Sequence, residues 1–224
     1  MTLLVGEDQV KFEVHKQLLC KTSGFFKACL GKHFVEGPSN QIELPEDKPA
    51  PVRLYIEWIY THKIVFRDLT AAGVVELYQF VDRVSSPKYH NHFMDAVRDY
   101  CIQHCTSPSA TILYQLYDIG LGSTPLAMYV GECVVYEWMP SPNVWKAGLE
   151  GQKNVKEEQL KAMAAIPELM EDTIKAILEF RLGPWDKPWE YKGCRYHLHE
   201  EGEVSAIMKE PSVFGQRAKA CWEM

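Results

Sequence analysis

A short stretch near the C-terminus holds the densest set of potential metal ligands in the chain. Cys194, His197 and His199 lie within six residues, and Cys221 is the only later cysteine. Thiolate sulfur and imidazole nitrogen are ligands that zinc prefers, and a structural zinc site takes four ligands. Side chains two residues apart in an extended segment point to the same side, so His197 and His199 can face one metal. These four residues predict a zinc site. The alternative is a surface segment whose histidines form ordinary hydrogen bonds.

The second candidate chemistry is a thiol activated by an imidazole. His15 and Cys20 are five residues apart, so on a helix they do not share a face. No carboxylate is placed to orient the imidazole, as a nucleophilic pair requires. The chain also lacks G-x-x-x-x-G-K-[ST], G-x-G-x-x-G and G-x-S-x-G, which excludes the commonest nucleotide-binding and hydrolase classes. The sequence therefore predicts no enzymatic activity, and no cofactor other than a zinc ion.

The spacing of apolar residues changes within the run from Lys11 to Phe26. Phe12 and Val14 alternate with polar neighbours, as in a strand with one buried face. The apolar residues that follow recur at helical spacing: Leu18, Leu19, Phe25 and Phe26. A hydroxyl at Thr22 or at Ser23 would cap a second helix. The run therefore predicts a strand that leads directly into a helical hairpin.

The same reasoning places the other elements. Strands are predicted at residues 3–5, 10–14 and 41–44, and helices at 15–30, from about 49, 69–84, 87–100, 108–120, 125–139 and 167–182. Asp47 is the predicted N-cap of the helix that starts near residue 49, and Trp58 and Tyr60 are expected in its core-facing side. Residues 148–159 are polar and are predicted to be an exposed link. The last helix is expected to bury Leu169, Met170, Ile174, Ile177 and Leu178.

The run V-H-K-x-L-L-C-x-x-S-x-F-F, residues 14–26, resembles the opening of the BTB/POZ domain, particularly in the small fungal BTB proteins. Three further motifs fit in order: Phe34-Val35-Glu36, the run 42–47 and the run 55–61. The resemblance covers about residues 1–105 and implies an α+β fold in which helical hairpins cap a short three-stranded sheet. Helical spacing continues over residues 106–183 as an all-helical extension. Residues 184–224 form an irregular, aromatic-rich tail that is either folded over the helices or partly mobile.

The resemblance implies a protein-protein interaction function. Cullin-binding BTB adaptors carry a hydrophobic-x-Glu signature between the second helix and the third strand, and Phe34, Val35 and Glu36 match it. The implied partners are a cullin or another BTB chain, with homo-oligomers possible. The alternative is that Phe34 covers the local core while Glu36 is solvated.

Composition excludes several other classes. The net charge is −6 and no block of basic residues is present, so direct nucleic-acid binding is not expected. No apolar run reaches the roughly 18 residues of a membrane span. Seven cysteines, an odd number, predict reduced thiols and a location in the cytoplasm or nucleus.

Three functions remain compatible with the sequence. The first is an adaptor or oligomerisation scaffold, in its most specific form the substrate adaptor of a cullin-based ubiquitin ligase. The second is a zinc-stabilised interaction module, and the third is a bare homo-oligomerisation domain without a ligase link.

Overall fold

The computed structural model describes residues 1–30, 41–66, 70–138, 157–182, 188 and 195–199, with the side chains of 157–160 and 179–182 left out. The described residues form two compact units. The first comprises Met1–Ala96 with Leu198 and His199, and the second comprises Val97–His197.

A three-stranded sheet begins the first unit. Its strands are β1 (Thr2–Val5), β2 (Val10–Glu13) and β3 (Gln41–Leu44), in the order β2-β1-β3. β1 is antiparallel to β2, with Leu3 opposite Phe12, and parallel to β3, with Leu3 opposite Ile42. The turn after β1 requires Gly6, which has φ +74° and donates its N–H to the Leu44 carbonyl at 2.9 Å. This bond ties the hairpin turn to the end of β3.

Helices complete the first unit. They are α1 (Lys16–Thr22), α2 (Gly24–Cys29), α3 (Pro49–Thr61), α4 (Ala71–Arg83) and α5 (Pro87–Gln103), and the boundary between the two units lies inside α5. Along the chain the order is two strands, two helices, one strand and three helices. The predicted order of elements is confirmed.

Ser23 joins α1 and α2 and is the N-cap of α2. Its Oγ accepts a hydrogen bond from the Phe26 N–H at 3.1 Å and donates to the Val84 carbonyl at 2.5 Å. Thr22, the other predicted cap, instead donates its hydroxyl to the Leu18 carbonyl at 2.8 Å. Ser23 therefore both starts the second helix and fastens the hairpin to the end of α4.

We expect Ser23→Ala to lower the free energy of unfolding by about 2–3 kcal/mol, because it removes a cap and a buried hydrogen bond together. Urea denaturation measures the change. The matched control is Thr70→Ala, since Thr70 caps α4 from an exposed position through one bond to the Gly73 N–H. That control should cost about 1 kcal/mol. Equal losses for the two variants would contradict the role given to the Val84 contact.

The core of the first unit is rich in aromatic rings. Tyr55 stacks on Phe26 with ring centroids 5.9 Å apart and meets Tyr89 edge-on at 4.9 Å. Burial raises the pKa of Tyr55 to about 12, although its hydrogen bond to Thr22 acts in the opposite direction. Trp58 donates its indole N–H to His92 Nδ1 at 2.8 Å. The core is thus apolar in its bulk while its polar ring atoms find partners.

Two predictions at α3 are wrong. Lys48, not Asp47, occupies the N-cap position and makes no side-chain cap. Asp47 instead forms an ion pair with Arg83, so its carboxylate binds the guanidinium rather than the free N–H groups at the start of the helix. Tyr60 was expected in the core but is 47% exposed. It follows the buried Trp58 by two residues, which is about 200° around a helix, so the two rings cannot share one face.

The second unit is helical in its described part. Its further helices are α6 (Ala110–Asp118), α7 (Pro125–Trp138), α8 (Glu157–Ala164) and α9 (Pro167–Leu182). α7 packs against α6 and α9, and every residue from Leu126 to Val135 is buried. The prediction of an exposed link over residues 148–159 is wrong at its end, because α8 begins at Glu157 and buries Met163. Residues 148–156 lie outside the described part.

The predicted buried face of α9 is also partly wrong. Leu169 is buried, but Ile174 and Leu178 are 50% and 55% exposed. The face that packs instead carries Asp172, Thr173 and Ala176 with Leu169. Asp172 tolerates burial because Tyr117 donates its hydroxyl to the carboxylate at 2.8 Å. The buried Asp172, with its Tyr117 partner, therefore lies on the packed face in place of the apolar stripe that hydrophobic spacing predicts.

Candidate functional site

The predicted partner-binding residues lie in the connection between α2 and β3. Phe34, Val35 and Glu36 fall within residues 31–40, outside the described part of the chain. Both described ends of this connection are packed or hydrogen-bonded within the first unit. Leu30 is buried, and β3 begins at Gln41 in register with Thr2 of β1.

The predicted zinc ligands are only partly within the described residues. Cys194 and Cys221 lie outside, whereas His197 and His199 are half-buried. The Nε2 atom of His199 is buried and has no hydrogen-bond partner among the described residues. Within the described part of the chain, no group of three or more His, Cys, Asp or Glu side chains is arranged to hold a metal. The four-ligand zinc site stays a prediction.

Two residues between the proposed zinc ligands Cys194 and His197 contact Glu132 in the second unit. Arg195 donates from Nε and Nη2 to Glu132 Oε1, at 3.2 and 2.6 Å. Tyr196 is fully buried and donates its hydroxyl to Glu132 Oε2 at 2.7 Å. Both oxygens of one carboxylate are therefore occupied by consecutive side chains. Sequence reasoning considered Cys194, His197 and His199 and passed over this pair.

Glu132 occupies an unusual place for a charged residue. It is 2% exposed and lies in the middle of α7, a helix that is buried on nearly all sides. A buried carboxylate is strongly unfavourable unless a cation or several donors accompany it. A glutamate inside the apolar run of residues 126–135 was the available signal that a cation elsewhere in the chain must reach it.

Aromatic and cationic groups complete the surroundings of Tyr196. Its ring meets Tyr129 edge-on with centroids 5.2 Å apart, and the Arg98 guanidinium lies 5.6 Å from the centre of the Tyr196 ring. We call the set of Glu132, Tyr129 and Arg98 the Glu132 site. It receives Arg195 through charge and Tyr196 through a hydrogen bond and ring contacts.

Burial raises the pKa of the phenol and of the two thiols nearest to the Glu132 site, so these three groups keep their protons. Burial, and then the neighbouring Glu132, raise the pKa of the Tyr196 phenol well above its ordinary value. Burial likewise raises the pKa of the Cys101 and Cys133 thiols. Protonated thiols are poor nucleophiles, and a protonated phenol donates a hydrogen bond. The arrangement is suited to binding rather than to covalent chemistry.

A separate contact in the first unit holds the backbone of Leu198. The Asn91 amide donates from Nδ2 to the Leu198 carbonyl at 2.9 Å, and the Leu198 N–H donates to Asn91 Oδ1 at 2.7 Å. These two bonds contact only main-chain atoms, so they do not depend on the side chain at residue 198. Since 107 residues separate the partners, no local sequence pattern could have indicated the contact.

Comparison with known families addresses the first unit. Residues 1–103 match the family model of the BTB/POZ domain. This part of the chain is a BTB/POZ domain. Its three-stranded sheet and helices α1 to α5 form the predicted α+β fold, and the matched range ends at Gln103, the last residue of α5. No curated protein matches the chain.

The BTB/POZ match indicates the general kind of function of residues 1–103. BTB/POZ domains are protein-protein interaction modules rather than enzymes. Of the helices described here, none is both long and apolar enough to cross a membrane. On the described surface of the BTB/POZ domain, the large exposed apolar side chains are Tyr60, Val65 and Ile102. Tyr60 is held in place by His15, whose Nδ1 lies 2.6 Å from the Tyr60 hydroxyl.

Proposed function

We propose that this protein is an adaptor that binds one protein through its BTB/POZ domain and a second protein through its helical unit. The observation that carries the proposal is the BTB/POZ match over residues 1–103. Two partners held on one chain meet at a raised effective concentration, without needing a direct affinity for each other.

The first partner we propose is the cullin scaffold of a ubiquitin ligase, and the contacting residues are Phe34, Val35 and Glu36. An apolar anchor beside a charge suits a small interface, because burial supplies affinity while the charge selects orientation. The buried Leu30 and the paired strand β3 support this proposal, since they secure both ends of the connection that carries the three residues. As part of the same proposal, the protein is similar to the small fungal BTB proteins and is located in the cytoplasm or nucleus.

Affinity purification with a purified cullin tests this proposal. We expect the double variant Phe34→Ala with Glu36→Lys to capture at least about 10-fold less cullin than the wild type, as loss of a hot-spot anchor predicts. Its thermal melt should stay cooperative. The control is Glu43→Lys, which makes the same charge change at an exposed position of β3 and should leave capture intact. Unchanged capture by the double variant would exclude the cullin and favour another BTB chain as the partner.

A zinc-stabilised interaction module is the second candidate. The buried Nε2 of His199, which has no partner in the described part of the chain, favours it, because a metal would supply one. Cys194, His197 and Cys221 would provide the other ligands. Elemental analysis of the purified full chain separates the two candidates, since this one requires about one equivalent of zinc. Light scattering combined with the cullin capture separates both from a bare homo-oligomerisation domain.

A further inference from the structure

We propose that the Glu132 site recognises the dipeptide Arg-Tyr in a turn of a partner protein, and that Arg195 and Tyr196 occupy it in cis. The inference rests on the proposed function for the existence of a second partner, and it names the chemistry of that partner. The occupied state seen in the structure is then a self-bound form, which a partner with the same dipeptide displaces.

The carboxylate selects arginine at the first position. Glu132 is almost completely buried, so an approaching segment must bring a positive charge to it. Arg195 places both Nε and Nη2 on Oε1, a forked contact that the single ammonium of lysine cannot reproduce. A segment with lysine here would leave part of the acceptor capacity of Glu132 unused.

The rest of the site selects tyrosine at the second position. Glu132 Oε2 accepts the Tyr196 hydroxyl, and phenylalanine would leave that buried oxygen without this donor. The Tyr129 ring and the Arg98 guanidinium contact the ring of Tyr196, and an aliphatic side chain would lose both interactions. Arginine and tyrosine are also, with tryptophan, enriched at the energetic centres of protein interfaces. The contacts therefore specify one short motif.

Arg195 and Tyr196 resemble a bound ligand, because side-chain contacts hold them in the Glu132 site and neither residue is part of a helix or strand. Arg195 and Tyr196 lie in a turn and belong to no helix or strand, and they are 63 and 64 residues away from Glu132 in sequence. The helices of the second unit also contact one another directly, α7 on α6 and on α9, and α9 on α8. A tethered ligand competes at an effective concentration of about 1 mM or more, so it sets the threshold that a partner must exceed.

Fluorescence anisotropy with a labelled peptide tests the inference on the full chain. The probe is a fluorescein-labelled peptide with the sequence of residues 195–199, Arg-Tyr-His-Leu-His. We expect the variant Arg195→Ala with Tyr196→Ala, which vacates the site, to bind the probe at least about 10-fold more tightly than the wild type. Adding Glu132→Gln to the vacated chain should weaken binding by about 10-fold or more, and so should a probe with lysine for arginine. A vacated chain that melts cooperatively but does not bind the probe would overturn the inference.

A second experiment covers the case in which the vacated chain does not fold. A protease cleavage site inserted between residues 185 and 190 of the otherwise wild-type chain allows the link to be cut after folding. We expect excess unlabelled probe to displace the C-terminal fragment, as native mass spectrometry would show. A fragment that stays bound at saturating probe would make residues 195 and 196 a permanent part of the helical core and overturn the inference.

The two proposals fail in distinguishable ways. A chain that captures cullin normally but shows no specific binding of the probe contradicts only the Arg-Tyr site. A chain that binds the probe as expected while the Phe34 and Glu36 substitutions leave cullin capture unchanged contradicts only the cullin contact.

Discussion

Replacing Phe26 with aspartate is expected to unfold the BTB/POZ domain. The Phe26 ring is fully buried, stacks on Tyr55 at 5.9 Å and meets Phe25 at 5.1 Å. Loss of a buried phenylalanine side chain costs about 3–5 kcal/mol. A buried, unpaired carboxylate adds several kcal/mol more, against a total stability of about 5–15 kcal/mol for a typical domain. Circular dichroism should show no cooperative melt assignable to this domain.

Phe25→Asp is the matched control for this prediction. Phe25 is the preceding residue in α2, but it is only half-buried, and the Arg83 guanidinium lies 5.8 Å from its ring. An aspartate at this position meets water and a cation, so the domain should still melt cooperatively, with a loss of about 1–2 kcal/mol. A Phe26→Asp chain as stable as Phe25→Asp would mean that the core of the domain lies elsewhere.

Replacing Glu132 with glutamine is expected to have the second-largest effect. Glutamine keeps the size of the side chain but removes the charge that compensates the Arg195 guanidinium. Breaking a buried ion pair by removing one partner costs about 3–5 kcal/mol. The Arg195 side chain keeps 22% of its exposure, so we expect the lower end, about 3 kcal/mol. Urea denaturation followed by fluorescence measures the loss.

The control for the second prediction is Glu171→Gln on α9. Glu171 also pairs with a cation, Lys175, but both side chains of that pair are about half exposed. An exposed ion pair within one helix contributes about 0.5 kcal/mol or less. Changing Arg195 to glutamine as well should recover part of the loss caused by Glu132→Gln, because the uncompensated buried charge is then gone. Similar losses for Glu132→Gln and Glu171→Gln would show that burial does not strengthen the Glu132 contact.

The sequence by itself determined the order of elements in the BTB/POZ domain. Alternation at Phe12 and Val14 and helical spacing through Leu19 and Phe26 depend only on local geometry, because a strand repeats every two residues and a helix every 3.6. Local chemistry likewise indicated a turn at Gly6, because glycine accepts positive φ, and gave Ser23 as one of two candidates for the N-cap of α2. The motifs at these positions also indicated the BTB/POZ family from the sequence alone.

Only the tertiary structure decided which side of some helices is buried and where the charged residues find partners. Tyr60 is exposed. On α9, Ile174 and Leu178 are exposed while Asp172 is buried, since the neighbouring helices determine which face of a helix is covered. Glu132 and Arg195 meet across 63 residues of chain, a separation over which no periodic pattern carries information. Local spacing encodes local structure, whereas the pairing of buried charges depends on which segments the folded chain brings together.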